Sequence, residues 1–276
     1  MSVGRGAITK AIAPRRRSSS VLGRVLPFVS VGVMLVLWSL LYDYTTFLPS
    51  PGEVLEEARS MFGNTDVFAP ILGSLWRLLL GLVIGFVAGL MLALQSTRGV
   101  FLAQVTNTYV RIALTVPSLL VALLGLVIFG ISDWAAVLTV AVIVFPFAAV
   151  PMIEGVKSLD PELQKMGHVY RMSRMSVIRH VVLPHMAPFL FSAIRNSHAL
   201  GWKVLIVAEI FSVQSGIGQQ FNRAFSLFDL PRVIVWLVIF LLIIGFIEYG
   251  VLAVFERRVF RWRSNRNGRR TVAVGV

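Results

Sequence analysis

Ionisable and amphipathic side chains recur along one face of the apolar stretch at 186–210. They are Arg195, His198, Trp202 and Glu209. On a helix that turns about 100° per residue, the other three lie within roughly 60° of Arg195, and Lys203 lies at the edge of this stripe. A charged group in a membrane costs roughly 2.5 to 3.5 kcal/mol on insertion scales, so it normally faces protein or water. The stripe therefore either lines or gates a solute path, or pairs Arg195 with a carboxylate or carbonyls to fix helix packing, and both interpretations stay open.

No constellation of side chains in this sequence is typical of an enzyme. The four histidines have neither the HExxH spacing of a zinc peptidase nor a cluster of carboxylates beside them. No Gly-Lys pair occurs, so the chain lacks the P-loop whose backbone and lysine hold the phosphates of ATP. We therefore predict no catalytic residue, no metal site and no cofactor in this chain.

The composition is that of an integral membrane protein. Of 276 residues, 57% are hydrophobic and 14% are charged, and the mean hydropathy is +0.80, far more apolar than a soluble domain of this length. A helix needs about 20 apolar residues to cross the hydrocarbon core. Six stretches qualify, at 25–42, 78–97, 112–132, 134–153, 186–210 and 233–255. The predicted organisation is a basic tail (1–24), a six-span domain (25–255) and a second basic tail (256–276).

Basic residues bracket alternate spans. Lysines and arginines precede the first span, separate the second from the third and the fourth from the fifth, and follow the sixth. Because positively charged loops stay in the cytoplasm, both termini and the loop at 154–184 are predicted to be cytoplasmic. The first span is too long for the apolar core of a signal peptide, so we expect it to remain as an anchor. The formal net charge of +13 then follows from topology, and no nucleic-acid partner is expected.

The loop at 154–184 has helix signals of its own. Asp160, followed by proline, suits the start of a helix, and the chain breaks at 171–173. Ser173 can cap a second short helix, which we expect Leu183-Pro184 to end. Its apolar residues are Met175, Val177 and Ile178. A helix-turn-helix held at the membrane surface predicts a docking site for a soluble partner.

Two further patterns surround the second span. Residues 47–62, FLPSPGEVLEEARSMF, predict an amphipathic helix on the outer surface, with glutamates opposite an apolar face. In the second span, small residues and one arginine recur every fourth position: Gly73, Arg77, Gly81, Gly85 and Gly89. Such spacing lets another backbone approach closely, either inside one subunit or between subunits.

The order of these patterns resembles a known family. FLPSP, then SLWRLLLGLVIGFVAG, a DPEL loop ending in VVLP, ALGWKVLIVAEIF, SGIG and a terminal ERRVFRWR look like permease subunits of bacterial ABC importers in the nitrate, sulfonate and taurine branch. The resemblance covers residues 47–263. It implies an all-α polytopic membrane protein with six transmembrane helices in the type I ABC importer permease (MetI-like) fold, working by alternating access in the bacterial inner membrane.

The resemblance also implies partners. These are a second permease subunit, as a homodimer or a heterodimer, two cytoplasmic ATPases that bind ATP and magnesium, and a periplasmic or extracellular solute-binding protein. This chain would be the translocation subunit and not an enzyme. The solute implied is a small anion such as nitrate, a sulfonate or taurine, or a related small organic compound.

In that family the loop carries a coupling motif, EAA, three residues, Gly, nine residues and Ile-x-Leu-Pro, whose helices sit in a groove of the ATPase. Here the motif is eroded, since counting back from VVLP puts Arg171 at the glycine position. The turn there favours a left-handed residue, and arginine costs roughly 1 to 2 kcal/mol in that conformation. The resemblance assigns the coupling role to Lys165, Met166, Gly167, Arg171, Ser173, Arg174, Met175, Ile178, Leu183 and Pro184.

Two other classes stay open at the level of sequence. A secondary transporter would use intramembrane carboxylates or broken helices for ion coupling, and Glu248 is the carboxylate that lies well inside a span. The other class is a membrane-embedded enzyme or a non-transport scaffold, and no catalytic constellation in the sequence favours it. Co-purification of an ATPase subunit separates an importer from both classes.

Overall fold

The computed structural model describes residues 21–44, 48–63, 67–160, 162 and 169–259, which fold into helices joined by short connections. The all-α class predicted from the sequence is confirmed. The chain divides after Glu53 into two compact units, which are described separately. In the first unit, Trp38 Nε1 of α1 (Val21–Tyr44) donates to the Pro49 carbonyl, just before the next helix, at 3.1 Å.

A reciprocal cap starts α2 (Pro51–Gly63). The Glu53 N–H donates to Ser50 Oγ at 3.2 Å, and the Ser50 N–H donates to Glu53 Oε2 at 3.2 Å. This is a capping box, which satisfies two backbone donors at the helix start. The predicted amphipathic helix is therefore present, and its capping signal Ser-Pro-Gly-Glu was legible in the sequence.

Long helices make up the second unit, from Val54 onward. They are α3 (Phe68–Gln95), α4 (Val100–Leu114), α5 (Ser118–Phe129), α6 (Asp133–Lys157), α7 (Arg174–Ser212), α8 (Ile217–Ser226) and α9 (Leu230–Val259). Among the described helices, α3, α6, α7 and α9 are long and apolar enough to cross a membrane, and the bent pair α4 and α5 makes a fifth if it is one span. The six predicted spans thus correspond to α1, α3, the bent pair, α6, α7 and α9, with the apolar part of α1 shorter, at Gly32–Tyr42.

The third predicted span, 112–132, is wrong as a straight helix. The axes of α4 and α5 differ by 92°, and Pro117 lies between them in an extended conformation, with φ −65° and ψ 128°. A proline has no N–H to donate and disfavours a helical residue before it, so the chain turns here. The turn into α6 is made by Gly130, at φ 66°, and by Ser132, whose Oγ accepts from the Ala135 N–H at 3.3 Å.

The expected stop at Leu183-Pro184 is also wrong, because α7 runs through it. A π-helical turn covers Ile178–Val182, and the Leu183 N–H donates to the Ile178 carbonyl five residues earlier. A wider turn gives room for the ring of Pro184, which would clash with the preceding turn of a regular α-helix. The predicted loop at 154–184 is correspondingly shorter, since α6 ends at Lys157 and α7 begins at Arg174.

The small-residue stripe of α3 packs against α6 inside the subunit. A Cβ on Gly81 would lie 2.8 Å from the Val140 side chain, and one on Gly89 would lie 3.0 Å from the Ala149 backbone nitrogen. The two helices therefore approach too closely for any larger residue at these sites. Of the two interpretations of the stripe, close packing within one subunit matches these contacts.

Candidate functional site

A set of charged and polar groups around Arg77 joins α3, α6, α7 and the turn before α8, and its centre is buried while Asp133 and Ser215 lie at its exposed edge. We call Arg77, Glu209, Asp133, Ser74 and Ser215 the Arg77 cluster. Arg77 Nε donates to Asp133 Oδ1 at 2.7 Å, and its Nη1 donates to Glu209 Oε1 at 2.9 Å. Nη1 and Nη2 also donate to the carbonyl and hydroxyl of Ser215, both at 2.8 Å. Arg77 is 3% exposed and Glu209 is 0% exposed, so this ion pair is sealed inside the protein.

The carboxylate of Glu209 also fixes the turn between α7 and α8. It accepts from Ser74 Oγ at 2.8 Å and from the Gly218 N–H at 2.9 Å, while Ser74 Oγ accepts from the Ile217 N–H at 2.8 Å. Gly216 closes the turn at φ 125°, and a Cβ there would lie 2.5 Å from Glu209 Oε1. Each oxygen of the buried carboxylate thus has partners, which is what allows a charge to stay in the interior.

A second charged set, the Arg195 cluster, comprises Arg195, Glu248 and Glu256 and joins α7 to α9. Arg195 Nε donates to Glu248 Oε1 at 2.6 Å, and its Nη1 donates to Glu256 Oε2 at 3.2 Å. The three side chains are 43%, 19% and 42% exposed. Glu248 lies in a π-helical turn of α9, Phe246–Leu252; such turns are frequent at functional sites.

His198 and Trp202 extend the Arg195 cluster into the core. Trp202 Nε1 donates to His198 Nε2 at 2.9 Å. Because the indole nitrogen can only donate, His198 Nε2 accepts, and the proton of a neutral ring belongs on Nδ1. That nitrogen lies 3.8 Å from Glu248 Oε2 and has no hydrogen-bond partner among the described residues. Trp202 itself is fully buried.

The predicted stripe on the fifth span thus divides into two parts. Arg195 is half-exposed and ion-paired, which provides the carboxylate that the packing interpretation requires. His198, Trp202 and Glu209 are buried within the subunit. Sequence reasoning missed the pairing of Arg77 with Glu209, although a charge next to the second span and an opposite charge inside the fifth were a signal, since intramembrane charges are usually paired.

The exposed end of α7 is the predicted docking site. We call residues 171–184 the coupling segment. Arg171 has φ 50°, so the left-handed conformation expected at this position is present. The Oγ of Ser173 accepts from the Ser176 N–H at 3.2 Å and caps the helix, as predicted. Met175 is 71% and Ile178 50% exposed, and Arg174, Leu183 and Pro184 are also exposed.

The start of the docking loop is described only in part. The Glu162 N–H donates to Asp160 Oδ1 at 2.8 Å, which fits a helix start at Asp160. The remaining coupling residues, Lys165, Met166 and Gly167, lie outside the described residues.

A cavity of about 250 Å³ lies where α2, α8 and α9 meet, at the opposite end of α7 from the coupling segment. Its walls include Gln220, Arg223, Arg232 and Trp236. Arg232 Nε donates to Glu57 Oε1 at 2.7 Å, so one guanidinium group is already paired. The cavity is smaller than the roughly 300 to 1,000 Å³ of sites for drug-sized ligands.

The signature of the family described as "binding-protein-dependent transport system inner membrane component" matches residues 81–261. The chain belongs to this family. It is therefore a membrane-embedded permease component of a binding-protein-dependent ABC importer for small solutes. As predicted, it is a translocation subunit, and the ATPase is a separate subunit. Membership of this family sets aside the secondary transporter and the scaffold.

Relatives of the permease place it in the branch that the sequence resembles. It is 30% identical to a putative aliphatic sulfonates transport permease of Escherichia coli K12 over 245 residues, 87% of this chain and 92% of the relative. It is 24% identical to a putative aliphatic sulfonates transport permease of Bacillus subtilis 168 over 254 residues, 92% of each chain. Permeases named for taurine and nitrate transport match as well.

The fold of the permease is also that of solved ABC importers. An inward-facing structure of the MetNI methionine ABC transporter superposes with a TM-score of 0.59 at 19% identity, covering 68% of this chain and 93% of that chain. The MetI-like permease fold predicted from the ordered motifs is confirmed.

Proposed function

We propose that the permease forms the translocation path for a small anion such as nitrate, a sulfonate or taurine, or a related small organic compound, by alternating access. The names of its relatives, which include sulfonate, taurine and nitrate permeases, support this class of solute. Guanidinium and ammonium groups are the protein groups best suited to nitrate and sulfonate oxygens. The exposed or half-exposed cations of this chain therefore fit the proposed solute.

The working assembly is a pair of permease subunits, identical or related, with two cytoplasmic ATPases and an extracytoplasmic solute-binding protein. ATP and magnesium bind to the ATPases and not to the permease. The complex resides in the bacterial inner membrane with both permease termini in the cytoplasm, because the basic residues bracket alternate spans. The coupling segment then faces the cytoplasm, and the Arg77 cluster lies at the opposite end of α7.

The observation that carries this proposal is the continuity of α7 with its exposed tip. The helix extends over 39 residues, about 58 Å at 1.5 Å per residue. Met175 and Ile178 at its start are apolar and exposed, although they lie beyond the apolar span. A protein partner that buries them would move the whole helix with it. The permease therefore couples ATP hydrolysis to the solute path through α7.

Within the path, Arg195 is the residue of the predicted stripe that reaches the surface of the subunit. We assign it contact with the solute or with water in the path. His198, Trp202 and Glu209 act from inside the subunit, where they fix the rotation of α7 about its axis.

Substitution of the exposed methionine tests the coupling role. Met175→Glu places a charge where the ATPase should bury an apolar side chain, so we expect at least a tenfold loss of ATPase recovered with the affinity-purified permease. Met175→Leu keeps the apolar surface and serves as the matched control. Taurine, methanesulfonate and nitrate uptake into proteoliposomes, with the cognate binding protein supplied, should fall in parallel. Equal ATPase recovery and equal uptake in both variants would remove the coupling segment from the contact.

A further inference from the structure

A polar strip on α7 lies beside the buried face that carries the predicted stripe. Its members are Ser192, Asn196, Ala199 and Lys203, which on a helix point within about 60° of one another. Asn196, Ala199 and Lys203 are exposed, and Ser192 is partly exposed. We propose that this Lys203 strip is the solute-contacting wall of the permease and that Lys203 binds the anionic group of the solute. The proposal rests on the transport function proposed above and names the residues of the site.

The packing of neighbouring residues puts Lys203 inside the membrane span. A Cβ on Gly201, two residues earlier, would lie 3.0 Å from the side chains of Leu78 and Leu82. Lys203 also precedes Glu209 by six residues, about 9 Å along the helix. Arg77 pairs with both Glu209 and Asp133, so Glu209 lies at the level of Asp133, the first residue of α6. The backbone of Lys203 is therefore about 9 Å deeper in the membrane than the start of α6.

No described carboxylate is free to neutralise Lys203 at this depth. Glu209 is paired with Arg77, and Glu248 is paired with Arg195. In the described parts of the chain, no ion pair or hydrogen bond reaches Lys203, and its side chain is exposed. An unpaired charge in a span faces water or a ligand, so the Lys203 strip borders an aqueous path.

The chemistry of the strip suits a small oxyanion. The Lys203 ammonium supplies a compact positive charge with three donors, Asn196 adds an amide, and Ser192 adds a hydroxyl. Asn196 and Ser192 lie about 10 and 16 Å from Lys203 along the helix, too far to bind the same small anion at once. Lys203 therefore holds the anionic group, and the amide and hydroxyl continue a polar wall along which the anion passes. Arg195 lies about 80° from Lys203 around the helix, at the seam between this strip and the buried face.

Single cysteines can test the strip directly, because the native chain has none. The probe is the membrane-impermeant anion 2-sulfonatoethyl methanethiosulfonate, applied to the assembled complex in proteoliposomes. Ser192→Cys, Asn196→Cys and Lys203→Cys should react at least tenfold faster than Val83→Cys. Val83 is 57% exposed on α3 at a similar depth but in an apolar surrounding, which makes it the matched control. Methanesulfonate at high concentration should slow the reaction at the strip.

The charge of Lys203 has its own test in the same complex. Lys203→Gln should lower uptake of taurine, methanesulfonate or nitrate at least tenfold per assembled complex, and Lys203→Arg should retain most of it. Lys203→Cys should regain uptake after reaction with the cationic 2-aminoethyl methanethiosulfonate, and not after reaction with the anionic reagent. Rescue by the cation alone requires a positive charge at this position, which a merely structural role does not.

Three results would overturn the proposal. Labelling of the strip no faster than Val83→Cys would mean that it faces lipid. Unchanged uptake in Lys203→Gln would remove its charge from solute binding. Loss of the second permease subunit from the Lys203→Gln complex would make Lys203 a subunit contact. If instead the strip is labelled but the unmodified complex takes up none of the three anions, the proposed solute class is wrong.

Discussion

Two arginine clusters that share helix α7, through Glu209 and Arg195, differ in how far their central ion pairs are closed to solvent. In the Arg77 cluster, Arg77 and Glu209 are 3% and 0% exposed and have serine and backbone donors beside them, while Asp133 lies at the edge and is 47% exposed. The Arg195 cluster holds its three members at 19% to 43% exposure. Removing one partner of a buried pair costs about 3 to 5 kcal/mol, whereas an exposed pair contributes about 0 to 1 kcal/mol. The Arg77–Glu209 pair is therefore suited to fixing the fold, and the pairs of Arg195 contribute little to it.

The largest effect should come from breaking the sealed pair. Glu209→Ala leaves Arg77 without its buried carboxylate, so the free energy of unfolding should fall by about 3 to 5 kcal/mol. Thermal unfolding of the purified subunit and its amount in the membrane report the change. Glu56→Ala, at an exposed glutamate of α2, is the control. A Glu209→Ala subunit as stable as the control would refute the structural role of the Arg77 cluster.

An intermediate effect is expected where the backbone of the turn approaches Glu209. Gly216→Ala would push a Cβ to 2.5 Å from the carboxylate oxygen at φ 125°. Overpacking and the unfavourable φ should together lower the free energy of unfolding by about 1 to 3 kcal/mol. The same thermal unfolding measurement checks it, with Gly63→Ala at an open site of α2 as the control. Equal unfolding temperatures for both variants would mean that the turn adjusts freely around the cluster.

The smallest effect on stability should come from the open cluster. Arg195→Ala should change the free energy of unfolding by only about 0 to 1 kcal/mol, yet lower uptake per assembled complex if Arg195 faces the path. Arg98→Ala, at an exposed arginine outside the spanning helices, is the control for loss of charge. Complex recovery and uptake are measured together. If Arg195→Ala caused a large loss of stability while the remaining complexes took up solute normally, the Arg195 cluster would have a structural role like that of the Arg77 cluster.

The sequence predicted the helical class, most spans and the family, because apolar length and ordered motifs are local features of the chain. The predictions from the sequence were wrong where a contact between distant residues or a local change in helix type decides where a helix begins or ends. Arg77 led us to start the second span at 78, but the helix begins at Phe68, since the pairing with Asp133 and Glu209 satisfies its charge. Pro117 and Pro184 look alike in sequence, yet one breaks a span and the other is accommodated by a π-helical turn.

The face of the fifth span shows the same limit. A helical stripe could be derived from spacing alone, but which side of it meets solvent depends on α3 and α9. Trp202 and Glu209 turned out to face those helices, and Lys203, at the edge of the predicted stripe, is exposed. Periodicity gives the angles between residues around the helix, but it does not show which face of the helix points to solvent and which to its neighbours.

The ion pairs of Arg77 join residues that are synthesised at very different times. Its two carboxylate partners come 56 and 132 residues later in the chain. During synthesis, α3 enters the membrane before either partner exists; Asp133 arrives with the start of α6, and Glu209 only with the end of α7. A nascent chain cut short at the end of α7 also lacks Ser215, whose carbonyl and hydroxyl accept from Arg77. Arg77 therefore remains incompletely paired in the membrane until α7 and the turn into α8 have been made.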